Sequence, residues 1–196
     1  MTHNGGSGME EPQVDRVDEH DEPLSVAVTP LLGNEETEEA GWVGAALGKL
    51  LGEMLAAAGL EIAHHNAVAQ WLVERRQALP ISQVIAGRIQ FDMKLDALVH
   101  GAFNLDPTSQ SLGISLIVEA PDTPRTPLEA AAPLASFPRF VEQVALAVLE
   151  RLGLEIDDAL RDAVRDTPRP AAFEALRHMA LSQTAWSKGE LQLALT

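Results

Sequence analysis

Apolar and polar positions along this chain switch repeatedly between alternation and a helical period. "LSVAVTPLL" (Leu24 to Leu32) reads as a short β-branched strand stopped by Pro30, and the acidic run "GNEETEEA" as a loop. A helix is predicted from about Trp42 to Ala58, then a second short strand, "LEIAH" (Leu60 to His64). An amphipathic helix from Asn66 to about Gln77 follows, with Asn66 as N-cap and Arg75 and Arg76 at the end where the dipole favours cations. Ser82 caps a third helix from about Gln83 to Phe91.

"LDALVHGAFNL" (Leu95 to Leu105) returns to strand character. Asp106-Pro107-Thr108-Ser109 turns it into the strongly alternating "SLGISLIVEA" (Ser111 to Ala120), which predicts an antiparallel hairpin. A Pro-rich connector leads to a helix from about Arg139 to Leu152 with Val141, Val144, Val148 and Leu152 on one stripe, ended by Gly153. A helix from Ile156 to Asp166, a break at "TPRP", and a last helix turning at Gly189 into the start of another complete the chain. These elements predict an α/β fold: a small mixed sheet of about four strands packed with helices, then a C-terminal helical hairpin.

Residues 1–22 are Gly-rich and then acidic, with little apolar content to offset the entropy of ordering, which predicts a disordered tail. The formal net charge of -15 and the lack of a Lys/Arg run with interleaved aromatics disfavour nucleic-acid binding and favour a basic partner. With no cysteine, thiol chemistry is excluded. No basic-then-apolar leader is visible, and the longest apolar run is broken by Lys49 and Glu53, so a cytoplasmic protein without membrane insertion is the expectation.

"GWVGAALGKLLGEML" (Gly41 to Leu55) contains a Gly-Lys pair and places Gly44, Gly48 and Gly52 at every fourth position. A phosphate loop needs Gly, four residues, then Gly-Lys-Ser/Thr; here the spacer is three and Leu50 replaces the hydroxyl residue. On a helical wheel the three glycines form a row beside the stripe of Val43, Leu47, Leu50, Leu51, Met54 and Leu55. Each costs roughly 0.8–1 kcal/mol of helix propensity against alanine, so the row predicts a close backbone approach.

No other stretch carries a catalytic pattern. His64 and His65 at a strand end would point to opposite faces and cannot chelate together, while His100 and His178 are expected to be ordinary surface or half-buried residues. Glu119 and Asp122 flank Pro121 and read as solvated loop carboxylates, and Asp157, Asp158 and Asp162 as helix-start charges. No serine sits in a G-x-S-x-G elbow. No catalytic residue, cofactor or metal is expected.

Taken together, the apolar strand ending at Thr29-Pro30, Trp42 and its glycine-spaced helix, "LEIAHHNAVAQWLVERR", the hairpin around Gly101 and "FPRFVEQVALAVLERLGL" resemble the TolB N-terminal-like domain over residues 23–166. Residues 167–196 look like the beginning of a tetratricopeptide array, with Ser182 and Ala194 at small positions and Gly189 at the turn. The resemblance implies a non-enzymatic protein-interaction or assembly module of a bacterial signalling or envelope-associated system. Its partners would be proteins or further C-terminal repeats, met through Leu181, Trp186, Leu191 and Leu193. The alternative is a small-ligand-sensing domain with a crevice at the strand C-termini, near Thr29, His64 and Gly101.

Overall fold

A computed structural model describes residues 23–34, 38–77 and 79–187. The strands are β1 (Ser25–Val28), β2 (Leu32–Gly33), β3 (Glu61–Ile62), β4 (Ala97–Asp106), β5 (Ser111–Glu119) and β6 (Leu128–Pro133). The helices are α1 (Glu38–Ala57), α2 (His65–Glu74), α3 (Gln83–Met93), α4 (Phe137–Arg151), α5 (Asp158–Asp166) and α6 (Phe173–Ser187). The fold is mixed α/β, as the periodicity predicts. No helix among the described residues is long and apolar enough to cross a membrane.

The sheet runs β3-β1-β4-β5-β6, parallel between β3, β1 and β4 and antiparallel thereafter, with β2 also parallel to β4. The expected single strand over Leu24–Leu32 is two strands with a bulge between them. Val28 pairs with Val99 and Leu32 with Ala102, so Thr29, Pro30 and Leu31 stand opposite only His100 and Gly101. Pro30 cannot donate to the ladder. Thr29 N still donates to Val99 O (2.9 Å), but Leu31 N turns away from the sheet and donates to Gly44 O of α1 at 3.0 Å.

That bond requires α1 to lie backbone to backbone on the bulge, and the glycine row allows it. A Cβ on Gly44 would collide with the carbonyl oxygen of Leu31, and one on Gly48 with that of Thr29. Gly52, one turn further, would meet the Ile62 Cγ2 methyl at 3.5 Å and that of Val28 at 3.9 Å, both ordinary contacts. The expected close approach is therefore made by Gly44 and Gly48 to the bulge itself.

Alternation gives the sheet two faces. Val26, Val28, Val99, Phe103, Leu112, Ile114, Leu116 and Val118 face the main core, shared with α1, α4, α5 and α6. Ala27 and Leu98 face a smaller core closed by α2 and α3 through Val68, Trp71, Leu72, Ala86 and Ile89. Those two helices are tied by Asp92, whose Oδ2 accepts from Trp71 Nε1 (3.0 Å) and Arg75 Nη2 (2.9 Å).

Capping behaves largely as expected: Ser82 Oγ accepts from Ile85 N and Asp157 Oδ1 from Leu160 N at 2.7 Å. The hairpin turn is held by Asp106, which accepts from the amides of Thr108 (2.8 Å) and Ser109 (3.3 Å). Several boundaries differ by a residue or two, and three matter. α1 begins at Glu38, ahead of Trp42; α2 begins at His65, so Asn66 lies inside it; and β6 occupies part of the connector expected to be irregular. Its small alternating residues pair with β5 from Leu128↔Leu116 to Pro133↔Ser111, giving a sheet of six strands where about four are expected.

α6 docks on the α/β body through Phe173, Leu176 and Ala180, and Phe173 meets Phe137 of α4 edge-on with ring centroids 5.6 Å apart. Gly189 and the second helix of the expected hairpin lie outside the described residues.

The glycine row separates two outcomes that composition alone would not. Gly44→Ala and Gly48→Ala are expected to lose about 3 kcal/mol or more of stability, since the obstructing atoms are backbone. Gly52→Ala should gain up to about 1 kcal/mol of helix propensity. Urea unfolding midpoints of the three variants check the order.

Candidate functional site

The bulge divides the sheet face opposite α1 into two halves. Up to Ala27 and Leu98 it is covered by α2 and α3. Beyond the bulge the same face carries Ala102 and Asn104 of β4, Gly113 and Ser115 of β5, and Glu129 and Ala131 of β6, and no helix among the described residues covers this half. Asn104, Glu129 and Ala131 are exposed, whereas their neighbours Phe103, Ile114 and Leu116 on the other face are buried. Together with Leu32 and Asn34 these residues line a trough of about 720 Å³, within the size range of ligand-binding clefts.

At the boundary between the halves lies a polar cluster. His100 of β4 and Glu119 at the end of β5 both point to this face and are buried, with side chains 6% and 10% exposed. His100 Nε2 stands 3.8 Å from Glu119 Oε1, and Arg125 Nε, on the segment leaving β5, stands 3.3 Å from Glu119 Oε2. His100 Nε2 makes no hydrogen bond among the described residues. Gln90 of α3 fixes the strand end by donating from Nε2 to the Glu119 carbonyl at 2.9 Å. Burial pushes the His100 imidazole below its ordinary 6.5, outweighing the attraction of Glu119 for the charged form.

The residues singled out from sequence fall variously. Glu119, expected in a solvated loop, is a buried strand residue, and His100, expected at the surface or half buried, is buried beside it. Glu119 falls within the strand expected over Ser111 to Ala120; what the sequence lacks is the hairpin register, Leu98↔Glu119 and His100↔Ile117, that puts both side chains on one face. Asp122 is in the exposed turn as expected, with φ 57°. His64 lies in the connector after β3, His65 opens α2, and His178 is exposed on α6. Among the described residues no group of three or more His, Asp or Glu is placed to hold a metal.

The expected crevice near Thr29, His64 and Gly101 does not form as one site. His64 lines a small hollow of about 160 Å³ with Lys49 and Glu53. Thr29 is fully buried, and Gly101 is pressed so closely on the Ser115 carbonyl that a Cβ there would collide with it. Of the expected partner-facing residues, Leu181 is half-buried on α6, the Trp186 side chain lies outside the described residues, and so do Leu191 and Leu193.

No protein-family model matches this chain, and no curated protein matches it. The arrangement is therefore read from its own chemistry.

Because the folded His100 resists protonation, its contribution to stability is complete above about pH 6.5 and is lost as pH falls through its lower folded value. His100→Gln should flatten the stability-versus-pH curve in that window while leaving the slope above it unchanged. Chemical denaturation from pH 4 to pH 8 reads this out.

Proposed function

We propose that this chain is a non-enzymatic interaction module whose receiving surface is the open half of its sheet. The observation that carries this is the uneven covering of one face: α2 and α3 complete the layer on one side of the bulge, and the other side presents a trough of about 720 Å³. The partner fitting this surface is a helix of another protein. The small side chains Ala102, Ser115 and Ala131 let a helix seat closely on the sheet, as α2 and α3 do on the neighbouring half.

The order of a short parallel strand, a glycine-spaced helix, a second parallel strand and a long hairpin supports the resemblance to a TolB N-terminal-like domain, and with it a bacterial assembly or signalling role. The tetratricopeptide resemblance rests on residues of which only the first helix is described. The size of the trough also favours a second reading, a small-ligand-sensing domain with its ligand held over β4 and β5.

A photo-crosslinking residue placed at Asn104 or Ala131, and for comparison at the exposed Arg161 on α5, separates these readings in host cells. The interaction reading expects one discrete protein adduct from Asn104 and Ala131 and none from Arg161. Absence of an adduct from the trough contradicts it, and a saturable rise in thermal midpoint with a small molecule would then support the sensing reading.

A further inference from the structure

A second crevice, of about 390 Å³, opens on the other side of the polar cluster, between the C-terminal end of α3 and the segment leaving β5. Its lining includes Glu119, Asp96, Phe91 and Arg125. Three features of these side chains are unusual together. The Glu119 carboxylate is nine-tenths buried, and among the described residues its side-chain neighbours stand back from it: the Arg125 guanidinium at 3.3 Å and the uncharged His100 imidazole at 3.8 Å. Behind it, His100 Nε2 is buried and without a hydrogen-bond partner among the described residues. In front, Phe91 is 85% exposed at the rim, in a helix whose inward positions Ala86 and Ile89 are fully used.

A buried carboxylate held by only one loose charged contact keeps much of its desolvation cost, and a second, closer cationic N–H donor is the group that relieves it most. A planar guanidinium adds two parallel bonds to one carboxylate and stacks on an aromatic ring, which an ammonium does less well. One guanidinium already approaches: Arg125 reaches Glu119 Oε2 from the solvent side, with its own side chain 61% exposed. The second carboxylate, Asp96, uses Oδ2 to accept from Ser25 N at 2.8 Å and is itself exposed.

We propose that this crevice receives an arginine side chain of a protein partner, which pairs with Glu119, is flanked by Asp96 and stacks on Phe91, with Arg125 as the internal guanidinium it displaces. The net charge of -15 draws such a partner in. This site is separate from the open half of the sheet and does not depend on the reading given to that surface.

The test titrates the full chain with N-acetyl-argininamide, its lysine counterpart and its uncharged citrulline counterpart, following the backbone amides of Phe91 and Ala120 by NMR. Saturable shifts are expected with the arginine compound, weaker binding with lysine and no binding with citrulline. Arg125→Ala should bind the arginine compound several-fold more tightly, because the internal competitor is gone. Phe91→Ala should bind it about threefold more weakly with an unchanged thermal midpoint. Glu119→Gln should abolish binding; if that variant does not fold, the two exposed substitutions carry the test alone. Shifts that do not saturate, equal response to citrulline, or an Arg125→Ala variant no better than the unaltered protein would overturn the proposal.

Discussion

The structure hangs on the seating of a strand bulge against two glycines of a helix. Once Pro30 interrupts the first strand, the amide of Leu31 has no ladder partner, and a buried N–H must find one. It finds Gly44 O, at 3.0 Å, which brings α1 into backbone contact with the bulge. Only residues without Cβ tolerate that distance at positions 44 and 48. Since α1 also packs on α4, α5 and α6, its placement by this contact sets the position of the whole helical layer.

The same bulge shapes the other face. It ends the covered half at Ala27 and Leu98 and lets β2 resume alongside Ala102, so that β2, β4, β5 and β6 present an open surface of small side chains. It also leaves His100 and Gly101 as the two residues of β4 opposite three of the neighbouring strand. His100 points to the boundary between the halves, and Glu119 arrives there from β5 because the hairpin runs in unbroken register from Asp106↔Ser111 to Leu98↔Glu119. A polar pair, a trough and a crevice are thus brought to one face by a single irregularity in one strand.

Much of this was legible in the residues. Alternation locates the hairpin, Ser82 marks the start of α3, and the spacing of Gly44 and Gly48 points to a close backbone approach. What escaped was set by tertiary context. β6 is built of "LEAAAP", whose residues have little strand propensity and are held there by pairing with β5 and by Leu128, Ala130 and Ala132 facing the core. Glu119 looked solvated because it precedes a proline turn, yet the last residues of β5 are covered by α3, an element distant in sequence. The joint site at Thr29, His64 and Gly101 failed for a related reason: the bulge buries Thr29 and presses Gly101 against β5.

The functional reading follows from the placement of those surfaces, and both depend on the bulge being held as described. Native-state hydrogen exchange at the Leu31 amide measures that contact directly, because this N–H is bonded to α1 and not to the sheet. The account predicts that Leu31 exchanges as slowly as core strand amides such as that of Val99, through opening of the whole fold. Exchange of Leu31 at the rate of an unprotected amide, while Val99 stays protected, would contradict it.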